Sequence, residues 1–168
     1  LILLLMDTGL RISELCEMKL RLLDLEEGTA RVMGKGGKER IVPFGAVTRK
    51  ALWKWVHQYR PESRQQYVFL TTEGRPVARQ VAGRIIGRRG DAVGLAGVRC
   101  SPHTFRHTFA ISYLRNGGDV FTLQRILGHS TLEMVRRYVN VASVDVQAAH
   151  KRWSPVDNLD LTTPKGRR

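Results

Sequence analysis

Ser101-Pro102-His103-Thr104-Phe105-Arg106-His107 reads as the opening of a helix in a chain of 168 residues. Serine suits the N-cap and proline the first helical position. His103 and Arg106 stand three apart and so project from one helix face. Phe105 and Phe109 face elsewhere and can anchor the helix in a core. His103 falls in the first turn, where unpaired backbone N–H groups favour an anion. A capped helix with solvated polar groups explains the same residues equally well. His103 and His107 also have the i, i+4 spacing of a zinc-binding helix. Thr104 stands where the protease pattern needs glutamate, and no carboxylate cluster supplies further ligands, so no metal is expected.

Working outward, Gly117-Gly118 stops this helix and Asp119 caps the next, which Gly128 ends. Ser130 and Glu133 have capping-box spacing and predict a helix through about Val139. Leu132, Val135 and Val139 are its expected buried stripe, with Tyr138 beside it. A short helix is expected over 144–151. Upstream, residues 1–8 read as a helix broken by Thr8-Gly9, and Arg11 to Met18 as a second. Segments 29–33 and 39–44 alternate around Gly34-Lys35-Gly36-Gly37-Lys38 and predict a β-hairpin. Ala46 to Tyr59 reads as a helix with Leu52, Trp53 and Val56 inward, Tyr67 to Leu70 as a short strand, and Val77 to Arg89 as a helix. The expected class is α+β, mostly α-helical with a small antiparallel sheet.

Composition narrows the function. Lys and Arg total 28 against 15 Asp and Glu, a net charge of +13. The excess is uneven: residues 1–30 carry −3, residues 31–100 carry +11 and residues 101–168 carry +5. A basic middle points to a polyanion, foremost nucleic acid. Arg75, Arg79, Arg84, Arg88 and Arg89, with Lys38 and Arg40, are the candidate contacts to a DNA backbone. Apolar residues at 42% support a core. No stretch approaches the roughly 20 apolar residues of a membrane span. Cys16 and Cys100 form no C-x-x-C pair, which suits a reducing cytoplasm. Leu1 opens the chain inside an apolar run, so the first helix is read as cut.

Thr8-Gly9-Leu10-Arg11-Ile12-Ser13-Glu14-Leu15 resembles the first signature box of the tyrosine recombinases, the phage-integrase family. His103-Thr104-Phe105-Arg106-His107-Thr108 resembles the second. Leu127-Gly128-His129-Ser130, with Tyr138 nine residues beyond the histidine, resembles the third, and Gly34-Lys35-Gly36 fits the catalytic-lysine hairpin. The resemblance implies a catalytic set of Arg11, Glu14, Lys35, His103, Arg106, His129 and Tyr138. It singles out Tyr138 over Tyr59, Tyr67 and Tyr113 as the nucleophile. It implies strand cleavage that leaves a 3′-phosphotyrosyl bond and a free 5′-hydroxyl, with neither ATP nor a metal nor any other cofactor. A phenol titrates near 10, so forming its anion at neutral pH costs about 4 kcal/mol. His103 would be the base, and Arg11 and Arg106 would clamp the phosphoryl oxygens. Glu14 would orient Arg11. Lys35, with Lys38 as competitor, would protonate the leaving oxygen.

The resemblance further implies a catalytic domain over 1–153, a polar tail over 154–168, and an N-terminal core-binding domain that lies outside this chain. Double-stranded DNA is the expected partner, bound by a homotetramer on paired sites with accessory DNA-bending proteins, in the cytoplasm beside the nucleoid. Two alternatives stand beside a recombinase. One is a type IB topoisomerase-like nicking-resealing enzyme. The other is a non-catalytic helix-turn-helix-like module over 119–139, which leaves Arg11, Lys35 and His103 unexplained.

Overall fold

A computed structural model describes residues 1–34, 37–95, 97, 99–142 and 146–158. Helix α1 (Ile2–Thr8) buries Leu4 and Leu5 and ends at Gly9, whose φ of 62° lets its N–H return to the Leu5 carbonyl at 3.1 Å. A Cβ at Gly9 would lie 2.4 Å from the Phe109 ring, so the turn is doubly reserved for glycine. Helix α2 (Ile12–Cys16) follows, shorter than the sequence reading, with the Glu14 carboxylate accepting the Arg11 N–H at 2.8 Å.

The expected hairpin is present as β2 (Thr29–Met33) and β3 (Glu39–Pro43), joined at one edge by a two-residue strand β1 (Leu23–Asp24). All pairing is antiparallel, with Ala30 opposite Val42 and Val32 opposite Arg40. Residues directly opposite share a face. Ala30, Val32 and Val42 are buried, so the register turns Arg40 inward among them and Ile41 out to solvent.

Helix α3 (Ala46–Lys54) runs into a wide turn over Trp55–Tyr59, closed by Arg60 N–H to the Trp55 carbonyl at 2.7 Å. Thr48, Leu52 and Trp55 form the inward stripe. The expectation for Trp53 fails: it is 48% exposed, and Trp55 instead donates to the Val68 carbonyl and stacks on Phe69. Segment 67–70 forms no strand, only isolated bridges at Tyr67 and Leu70, yet Val68, Phe69 and Leu70 are buried. Helix α4 (Arg79–Ala92) buries Ala82, Ile86 and Gly90.

Helix α5 (Pro102–Arg115) starts as read, its Thr104 N–H held by Ser101 Oγ. Asp119 caps α6 (Val120–Leu127) through the Phe121 and Thr122 N–H groups at 2.9 Å each, and Gly128 ends it at φ 64°. Helix α7 (Glu133–Ala142) begins after Leu132, whose carbonyl receives the Val135 and Arg136 N–H groups; Ser130 Oγ turns to the Met134 sulfur rather than capping. Its buried stripe is Val135, Tyr138 and Ala142, one position round from the expected one, with Leu132 and Val139 exposed. Helix α8 (Val146–Trp153) is the last helix among the described residues. Ser154, at the expected start of a loose tail, is buried beneath the turn that Asn158 closes onto it.

Two apolar cores result. One joins α1, α2, the sheet, α3 and α4; the other joins α5, α6 and α7. Helices α1, α5 and α6 meet where these cores abut, with Arg106 of α5 bonded to the carbonyls of Gly9 and Leu127 at the ends of the other two. No helix among the described residues is long and apolar enough to cross a membrane.

Candidate active site at the seam between two cores

A cavity of about 700 Å³ opens at this seam. Arg11, His103, Arg106, His129 and Tyr138 all line it, drawn from the α2 start, α5, the turn after α6, and α7. Five of the seven residues of the expected set therefore face one space.

Arg106 is the deepest cation, 7% exposed. Burying a guanidinium is costly unless its donors are satisfied. Here Nη1 donates to the Gly9 carbonyl at 2.7 Å, and Nη2 to the Leu127 carbonyl at 2.8 Å and to His129 Nε2 at 2.9 Å. The glycine turn after α1 and the last turn of α6 thus form its seat. Burial, then the like charge of Arg11, lowers the Arg106 guanidinium to about 10, so it remains a cation at neutral pH.

Arginine can only donate, so His129 Nε2 accepts and the neutral ring carries its proton on Nδ1. That nitrogen is buried and has no hydrogen-bond partner among the described residues. Burial, followed by the charges of Arg106 and Arg11, lowers the His129 imidazole to about 4. The ring is therefore uncharged at neutral pH and keeps one N–H available.

Glu14 lies beneath the cavity, 7% exposed. Its carboxylate takes Arg11 Nη1 at 3.0 Å and the fork of Arg40, Nη1 at 2.8 Å and Nη2 at 2.9 Å. Burial acts to raise this carboxyl. The Arg40 hydrogen bonds, the Arg11 backbone N–H and both guanidinium charges outweigh it and hold the group below its ordinary value. Glu14 thus holds Arg11 at both its backbone N–H and its guanidinium.

Arg40 does not sit where the sequence reading put it. Expected on a DNA backbone, it has only 12% of its side chain exposed, and its Nε donates to the Ile126 carbonyl at 2.8 Å. It ties the hairpin to Glu14 and to the end of α6. Strand parity carried the signal: Arg40 and Val42 are two apart and point the same way.

Tyr138 is 1% exposed, its ring stacked against His129 at 6.3 Å and tilted against His107 at 5.2 Å. Its hydroxyl accepts from Arg137 Nη2 at 2.7 Å. Sequence reasoning missed Arg137, because adjacent helical residues do not face each other; the long side chain folds back to reach its neighbour. Lys35 lies outside the described residues. Its competitor Lys38 is exposed beside the hairpin turn, as are Arg75, Arg84, Arg88 and Arg89 on their segments. Arg79 is exposed too, pairs with Glu17 and lines the cavity rim. Among the described residues no group of His, Cys, Asp or Glu could hold a metal ion.

Comparison with known proteins gives the family and the fold. A family profile described as the phage integrase family matches residues 1–144. Tyrosine recombinase XerD of Staphylococcus aureus is 35% identical over 156 residues, covering 90% of this chain and 52% of its own. XerD of Staphylococcus saprophyticus is 33% identical over the same shares. The chain thus spans about half the length of these curated relatives. The crystal structure of XerA recombinase superposes with a TM-score of 0.75 at 31% identity, covering 89% of this chain and 54% of that one. The catalytic domain of bacteriophage HP1 integrase shares the fold alone, at 23% identity and a TM-score of 0.63, over 94% of this chain and 82% of that one.

Proposed function

From the premise that this chain belongs to the phage integrase family, the tyrosine recombinases, we propose that it is a catalytic domain that breaks and rejoins DNA in site-specific recombination. One observation carries the reading: Arg11, Arg106, His103, His129 and Tyr138 line a single cavity. A phosphodiester in that cavity meets two guanidiniums where charge gathers in the transition state, beside the His129 ring, whose Nδ1–H has no partner among the described residues. The Tyr138 hydroxyl gives its proton to His103. Its oxygen bonds to phosphorus, and the P–O5′ bond breaks with its electron pair on O5′. Lys35 protonates that oxygen. The product is a 3′-phosphotyrosyl bond, which a second 5′-hydroxyl reverses. Bond energy is conserved, so the step needs no ATP.

The recombinase reading is favoured over a resealing topoisomerase because XerD and XerA are recombinases by name and cover most of this chain. A related XerH recombinase, 25% identical, is bound to its difH substrate, which supports duplex DNA as the partner. By the same family logic, four copies act on paired sites in the cytoplasm, with accessory DNA-bending proteins.

The test is covalent capture. The full chain is mixed with a pool of nicked duplexes of randomised sequence and quenched with detergent. A protein–DNA adduct is expected that survives chelator and disappears in Tyr138→Phe. Arg106→Gln should slow its formation about a hundredfold or more. Absence of an adduct, or one that persists in Tyr138→Phe, overturns the reading.

A further inference from the structure

We propose that Arg137 is a catalytic residue whose guanidinium holds the Tyr138 oxygen and carries the charge that forms there during attack. The inference rests on Tyr138 being the nucleophile. Its own observations are geometric. Arg137 Nη2 lies 2.7 Å from Tyr138 Oη, and the guanidinium carbon stands 4.7 Å from the ring centroid. The same side chain lines the cavity. Adjacent positions on a helix point about 100° apart, so this contact forms only because the arginine folds back across its neighbour's ring. Arg136, one residue earlier, shows the ordinary alternative: its side chain is 71% exposed and pairs with Glu133.

The chemistry follows from what arginine can do. It donates and stays charged, so it cannot be the base. By occupying a lone pair of Oη it leaves the hydroxyl proton free to point at an acceptor. As that proton passes to His103, the P–Oη bond forms and the P–O5′ bond breaks, Arg137 neither gains nor loses a proton. It offsets the negative charge from the solvent side, since Tyr138 is 1% exposed while Arg137 is an exposed residue folded over it. The rings of His129 and His107 fix the phenol plane, so the oxygen has little freedom to leave its donor.

Other charged and titratable groups share the cavity: His103, Arg106 and His107 from α5, Arg11 before α2, His129 after α6, and Arg79 at the start of α4. They stay in place when Arg137 alone is changed. Alkaline titration of phenolate absorbance, in the full chain with and without Tyr138→Phe, isolates Tyr138. Arg137→Gln should reduce its phenolate fraction about tenfold at a given pH. Arg137→Lys should recover part of the loss, and Arg136→Gln should leave the titration unmoved. In covalent capture on nicked duplexes, Arg137→Gln should slow adduct formation ten- to a hundredfold near neutrality, with the deficit closing as pH rises. An unmoved Tyr138 titration, or a deficit constant at every pH, overturns the proposal. If the wild-type chain forms no adduct, the recombinase reading falls, and the titration alone decides whether Arg137 supports the phenolate.

Discussion

Glu14 shows how one buried carboxylate can govern a site it does not enter. Two arginines converge on it, Arg11 from the cavity wall and Arg40 from the hairpin. Removing one partner of a buried pair leaves the other charge uncompensated, at a cost of about 3–5 kcal/mol. Glu14→Gln keeps one acceptor and should fall near the lower end of that range, read by urea unfolding at pH 7. The pH dependence has a definite sign. The native carboxyl titrates below its ordinary 4.5, so the unfolded chain binds the proton more readily. Its contribution is full above that ordinary value and is lost as pH falls through the native one. The gap between wild type and Glu14→Gln should therefore narrow on acidification below about 4.5, and a gap independent of pH would contradict the assignment. His129 follows the same sign for a different reason. Its native value near 4 lies below the ordinary 6.5, so the wild type should lose stability as pH falls from about 6.5 to about 4, and His129→Gln should lack that part of the slope.

Helix ends were legible because their chemistry is local. Ser101, Asp119 and Gly128 cap or stop helices through neighbours two to four residues away, and the sequence displays those neighbours. Contacts between distant segments were not legible. The Gly9 carbonyl that seats Arg106 is 97 residues from it, and Glu14 is 26 from Arg40. The stripe on α7 was misread by one position because an amphipathic pattern with Val135, Tyr138 and Val139 fits two rotations until the partner helix is known. Gly128 shows how a local signal can serve a distant contact. Its φ of 64° suits glycine, and a Cβ there would stand 3.0 Å from the Arg40 guanidinium, which Glu14 and Ile126 hold fast. Gly128→Ala should cost about 1–3 kcal/mol from left-handed strain and displacement of Arg40. Gly87 on α4 has open space at its Cβ position. Gly87→Ala should instead stabilise by about 0.5–1 kcal/mol, because alanine loses less backbone entropy in a helix. Thermal unfolding of the two variants should shift in opposite directions, and shifts of the same sign would refute this account of both glycines.

Across the molecule the positive charge divides into two populations with different work. Arg11, Arg40 and Arg106 converge on Glu14 or on backbone carbonyls around the cavity. Lys38, Arg75, Arg79, Arg84, Arg88 and Arg89 are exposed, and they remain as the candidate contacts to a duplex backbone. Net charge read from sequence counts both populations alike, which is why it points to a polyanion yet misplaced Arg40. If the six exposed groups each neutralise one phosphate, log affinity for duplex DNA should fall against log salt with a slope near −5. Arg84→Gln or Arg88→Gln should each make that slope shallower by about 1, with little change in unfolding. Arg40→Gln should do the reverse, leaving the slope of the folded fraction unchanged while lowering stability, since it leaves Glu14 with a single cationic partner. Measured together, slope and stability assign each arginine to one population. A shallower slope in Arg40→Gln without loss of stability would return that residue to the DNA surface and leave Glu14 needing another partner.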